Sequence, residues 1–140
     1  MEKEEVLDSQ IVKIGYQEYI IERRINKIMS GKDECVGLYL PQEAKILISS
    51  ALTGNERVQT TIHEIFHGLS TIYHIELTER QVDQIATALV IFIRDNPSFM
   101  STLFQQGEDD ERKQRLKSDK AKRASTNARR IRRPKGTVRK

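Results

Sequence analysis

The sequence has one cysteine, Cys35, so no internal disulfide can staple the chain. No apolar run approaches the roughly 20 residues a membrane-spanning helix needs. The opening Met1-Glu2-Lys3-Glu4-Glu5 is too acidic for the head of a secretory signal, and no apolar stretch follows it. Together these absences predict a soluble protein of a reducing cytoplasm, without a membrane partner. Internal repeats are also lacking. Past residue 107 apolar side chains nearly vanish, leaving Leu116, Ile131 and Val138 besides a few alanines, and aromatic residues are absent. Such a segment cannot bury enough surface to fold alone, so 107–140 is predicted to be a disordered tail.

What remains is one modest domain in a chain of 140 residues. Its charge is divided unevenly. Residues 108–140 hold 14 Lys+Arg against 5 Asp+Glu, a net of +9, and residues 1–107 hold 10 against 15, a net of −5. The overall +4 therefore describes the tail and not the body. The dense run Arg129-Arg130-Ile131-Arg132-Arg133-Pro134-Lys135 would attract polyphosphate, so three readings of 108–140 stand open: non-specific nucleic acid binding, contact with an acidic protein surface, and a solubilising tail with no specific partner. With no aromatic residue there, base stacking is not expected.

Along the body, residues 1–9 are polar and predicted to fray. Segments 10–15 and 16–23 alternate in part and predict two strands around Gly15, with 22–29 open to a helical reading. Ser30-Gly31-Lys32-Asp33-Glu34 reads as a turn. Strands over 35–40 and 45–50 form a hairpin through Pro41-Gln42-Glu43-Ala44. Thr53-x-x-Glu56 is a capping-box pattern, with Asn55 a competing start. Behind it Val58, Ile62, Ile65, Phe66, Leu69, Ile72 and Tyr73 recur every three or four residues, predicting a helix over about 55–74. Thr78-x-x-Gln81 opens a second helix carrying Val82, Ile85, Ala86, Leu89, Phe92 and Ile93 and ending near Asn96-Pro97. Phe99, Met100, Leu103 and Phe104 suggest a last short helix. Strands followed by helices predict an α+β class, with the domain over 10–106.

The first helix carries His63-Glu64-Ile65-Phe66-His67. Histidines four apart project from one helical face and can converge on one tetrahedral Zn2+. Glu64, beside that face, can act as general base toward an activated water. A third ligand is required. His74 rises about 16 Å beyond His63 on an unbroken helix, which puts it out of reach. The longer zincin pattern with a third histidine also fails, since Ser70 and Tyr73 stand where Gly and His would be needed. Glu79 is the better candidate, because Asp83 shares its helical face and one carboxylate can bind metal while the other orients an imidazole. Glu76 is a third candidate, in the predicted turn, without an acidic partner four residues on. For stabilising a developing oxyanion, Tyr39, Tyr73 and His74 are open alternatives. The 45–50 strand is expected to present an edge for β-addition of an extended substrate.

The hairpin ending Ile46-Leu47-Ile48-Ser49-Ser50-Ala51-Leu52, the His-Glu-x-x-His helix, the stretch Glu79-Arg80-Gln81-Val82-Asp83-Gln84-Ile85-Ala86 and Arg94-Asp95-Asn96-Pro97 occur in one order. Residues 36–97 thereby resemble the compact gluzincin-like metallopeptidases of the ImmA/IrrE group, and more closely the small zinc metallopeptidases of bacteriophages and prophages. The resemblance covers about half of the chain and stops before the basic tail. It implies a minimal zincin-like domain, a small twisted sheet packed on an active-site helix and a following ligand helix. His63, His67 and Glu79 would be the zinc ligands, Glu64 the catalytic base, and Asp83 the acid behind a ligand. It implies a metallopeptidase acting on a regulatory, phage or host protein in a bacterial or phage-infected cell. The alternative is a non-catalytic, zinc-stabilised binding module that contacts nucleic acid or a host protein through its tail. Gln81 and Val82 depart from the group's usual Glu-x-Glu-Ala-Asn/Asp stretch, which leaves the third ligand open between Glu79 and Asp83.

Overall fold

The computed structural model describes residues 5–131. The chain is mixed α+β and divides into two units, Met1–Asp95 and Asn96–Lys140.

In the first unit six strands precede two helices. These are β1 (Val6–Ile14), β2 (Gln17–Arg24), β3 (Ile28–Ser30), β4 (Asp33–Cys35), β5 (Gly37–Leu40) and β6 (Lys45–Ser49), then α1 (Gly54–Tyr73) and α2 (Glu79–Asp95). Four strands form a mixed sheet in the order β1-β2-β6-β5, in which β2 and β6 are parallel and the other pairs antiparallel. Gly15 opens the two-residue turn between β1 and β2 at φ 60°, the positive value that a type II′ hairpin turn requires at its first position.

The structure corrects several sequence expectations. The N-terminal segment is ordered from Val6, because its backbone pairs with β2 as far as Arg24. Residues 22–29 form no helix, since Glu22, Arg23 and Arg24 complete β2 in the sheet and Ile28 begins a separate hairpin, β3–β4. The strand expected over 35–40 is broken after Cys35, which belongs to that hairpin. Strand β6 is no edge, as β2 and β5 occupy both of its flanks, so an extended peptide cannot add to it.

One sheet face packs on α1. Ile14, Tyr19, Ile46 and Ile48 form its buried centre, and Ile65, Leu69 and Ile72 of α1 press on it at helical spacing. The other face holds a buried ion cluster. The Glu22 carboxylate lies 2.6 Å from Arg24 Nη2 and 3.2 Å from Lys45 Nζ. Helix α2 packs along α1 through Val82, Ala86 and Val90, every fourth residue, and the Gln59 amide donates to Thr87 Oγ1 at 2.7 Å.

The second unit contains α3 (Pro97–Ile131). This corrects the short helix expected near 99–104 and the disorder expected from 107 to 131. Pro97 sits at the first helical position, where its missing N–H costs nothing. After Gly107 the described residues contain neither Gly nor Pro and are rich in Lys, Arg and Ala, all good helix formers. Exposed pairs support it weakly, Asp110 with Lys113 at 3.8 Å and Glu111 with Arg115 at 3.7 Å. A helix needs no core to close its own backbone hydrogen bonds, so the shortage of apolar residues did not decide this segment. Arg132 to Lys135 of the basic run lie outside the described residues. Among the described residues no helix is long and apolar enough to cross a membrane.

Candidate metal centre

His63 and His67 lie in the middle of α1, one turn apart, where the core contacts of Ile65 and Leu69 hold the helix against the sheet. The opposite arm comes from α2. After α1, His74 takes a left-handed conformation at φ 53°, and its N–H and that of Ile75 both return to the Ser70 carbonyl. Residues 74–78 then reverse the chain. The expected capping box forms at Thr78: its N–H donates to Gln81 Oε1 at 2.8 Å, and the Gln81 N–H donates to Thr78 Oγ1 at 3.3 Å. That cap sets the first turn of α2, and with it the position of Glu79.

Three donors converge there. His63 Nε2 is 2.8 Å from Glu79 Oε1 and 3.1 Å from His67 Nε2, and His67 Nε2 is 3.2 Å from Glu79 Oε2. A tetrahedral ion with ligands at roughly 2.0–2.1 Å would space them about 3.3 Å apart. The triangle is close to that size, so these residues could hold a metal ion. Asp83 lies behind, its Oδ1 3.8 Å from His63 Nδ1, on the ring nitrogen that points away from the triangle. His74 and Glu76 line a separate surface cavity with Ser70 and Thr78 and do not belong to the group.

Glu64 is adjacent in sequence but differently placed. It is 7% exposed, against a triangle whose Glu79 is largely in solvent. Burial pushes its carboxyl up to about 7. Glu79 adds to the rise, while His63 and a hydrogen bond from the Tyr39 backbone N–H oppose it. The carboxylate opens on a cavity of about 450 Å³ whose walls include Cys35, Val36, Gly37, Glu56, Thr60, His63 and Asp83. Among the described residues three carboxylates line this cavity and no Lys or Arg does. Burial also pushes the Cys35 thiol up, with Glu64 and Glu34 contributing.

Glu56 lines that wall, and the capping box expected at Thr53 does not form. Gly54 enters α1 at φ 54° and the Thr53 side chain makes no cap hydrogen bond. Of the residues considered for an oxyanion, Tyr39 has its hydroxyl 2.9 Å from that of buried Tyr19, and Tyr73 and His74 stand at the far end of α1.

Gly37 escaped the sequence reading. A Cβ there would lie 2.6 Å from Glu64 Oε1 and 2.7 Å from Thr60 Cγ2, so glycine is what lets β5 approach the helix. The available signal was an isolated glycine inside a strand pattern, which marks close backbone approach. Comparison with protein-family models, with curated proteins and with solved structures finds no match to this chain.

Proposed function

We propose that the chain is a zinc-dependent metallopeptidase built on a minimal zincin-like domain, which hydrolyses a peptide bond in a regulatory, phage or host protein. The observation that carries this reading is a three-donor triangle with a separate, buried carboxylate beside it. Glu64 is the neighbour of a donor and not itself a donor, and a purely structural metal site has no use for a base next to an open position.

His63, His67 and Glu79 would hold the zinc ion, which when bound lowers the pKa of water toward about 7. Asp83 faces the outer nitrogen of His63 and orients that ring. Glu64 takes a proton from the attacking water and delivers it to the leaving amide nitrogen. A buried, positioned carboxylate can serve as base in the first transfer and as acid in the second. The Tyr39 N–H and the close wall at Gly37 hold the carboxylate in one place. A cavity lined by Glu56, Glu64 and Asp83 favours a substrate with a Lys or Arg side chain beside the scissile bond.

The test is a zinc-loaded protein incubated with a mixed peptide library and with a proteome digest, read by mass spectrometry. Cleavage adjacent to basic residues is expected, and it should vanish in Glu64→Gln while zinc and fold are retained. A zinc-loaded wild type that cleaves nothing, or cleavage that persists in Glu64→Gln, would sink the peptidase reading.

A further inference from the structure

Residues 112–130 of α3 contain nine Lys and Arg and one acid, Asp119, and every residue of the segment is exposed. At 100° per residue their positions on the helix are not uniform. Lys113, Lys117 and Lys120 fall on one flank. Arg115, Lys122 and Arg129 fall on the other. Between the flanks runs a strip about 120° wide without charge, made of Gln114, Ser118, Ala121, Ser125 and Ala128. Arg112, Arg123 and Arg130 lie on the side opposite that strip.

We propose that this part of α3 binds duplex DNA, lying in the major groove with the uncharged strip toward the base edges and each flank toward one phosphate strand. The dimensions agree. The major groove is about 12 Å wide and admits a helix of roughly 10–12 Å diameter. Small side chains on the strip allow the backbone to sit deep, and cations on both flanks meet a polyanion that surrounds the helix on two sides. A flat acidic protein surface would be met by one flank only. A lipid surface calls for a broad apolar face, whereas 112–130 offers one large apolar residue, Leu116. The deep, narrow major groove of duplex RNA excludes the helix. Competition from within the chain is slight, because the ion pairs of Lys113 and Arg115 are long and exposed. This inference does not rest on the metal centre.

The experiment is fluorescence anisotropy of the full-length protein with a 24-base-pair DNA duplex of arbitrary sequence, titrated with salt. Three triple variants carry equal charge loss: Lys113→Gln/Lys117→Gln/Lys120→Gln, Arg115→Gln/Lys122→Gln/Arg129→Gln and Arg112→Gln/Arg123→Gln/Arg130→Gln. Circular dichroism checks that each remains helical. Log affinity should fall linearly with log salt. Each flank triple should make that slope shallower by about 2–3, and the rear triple by less than about 1, at roughly 0.9 per phosphate contact. Equal losses from all three triples would overturn the groove geometry in favour of a diffuse polycation. Binding to duplex RNA, polyglutamate or phosphatidylserine vesicles as tight as to duplex DNA would overturn the choice of partner, as would no binding to DNA at low salt.

Discussion

Gly37 and Glu64 face each other with no room for a methyl group between them: a Cβ on Gly37 would stand 2.6 Å from Oε1 and 3.0 Å from Cγ of Glu64. Gly37→Ala should cost about 1–3 kcal/mol in urea unfolding, the range for an overpacked core, and should impair any activity that needs Glu64. In a Gly37→Ala/Glu64→Ala double variant the two costs should fall short of additive, since the second change removes part of what the first collides with and leaves the Thr60 Cγ2 contact at 2.7 Å. Strict additivity would show that the contact is relieved elsewhere. Gly68→Ala is the control. There the nearest atom is Ile14 Cδ1 at 2.9 Å, the far end of a flexible side chain, and helix propensity favours Ala by up to about 1 kcal/mol, so the net change should be small.

Glu64 ties stability to pH in the metal-free protein. Its folded pKa of about 7 lies above the ordinary 4.5, so the folded state holds the proton more tightly than the unfolded state does. The stabilisation is complete below about 4.5 and is lost as pH rises through about 7. The full swing is on the order of 3 kcal/mol. With chelator present, wild type should lose stability from pH 5 to 8 relative to Glu64→Gln, which has no proton to release there. Parallel curves for the two proteins would refute the shift.

Metal content by elemental mass spectrometry should give one zinc per chain, lost in His63→Ala and in Glu79→Ala. Asp83→Asn should still bind, with affinity weakened roughly 10- to 100-fold, as follows for a group that acts through the imidazole. Full loss in Asp83→Asn with retention in Glu79→Ala would move the third ligand from Glu79 to Asp83.

The ion cluster under the sheet makes a different prediction. Glu22 is 8% exposed and serves both Arg24 and Lys45. Glu22→Gln removes the anion from beside a buried guanidinium and should cost about 3 kcal/mol or more. Lys45→Met should cost much less, because its ammonium is partly in solvent and its loss leaves the Glu22–Arg24 pair intact. Similar costs for the two would contradict this division.

Tyr19 should ionise with a midpoint near 12, because burial and the Tyr39 hydroxyl disfavour the phenolate. Ultraviolet titration of wild type against Tyr19→Phe reads this directly. A Tyr19 component near 10 in folded protein would argue against its burial.

Much of this was legible in the chain itself. Periodicity determined α1 and α2 nearly to the residue, since an amphipathic stripe repeats every three or four positions whatever it packs on. The spacing of His63 and His67 put two imidazoles on one face, and Thr78-x-x-Gln81 located the start of α2. Other features depended on segments remote in sequence. Whether β6 is an edge rests on where β2 and β5 lie, and the ordering of Val6 onward rests on pairing with β2. Glu79, though largely in solvent, reaches the histidines because 74–78 reverse the chain by one particular path. Glu64 and Glu79 are both glutamates near histidines, and the local sequence does not say that the first is buried and the second exposed. Burial made that distinction, through the approach of β5 at Gly37, because the desolvation that raises a carboxyl's pKa comes from what surrounds it in space and not from its neighbours along the chain.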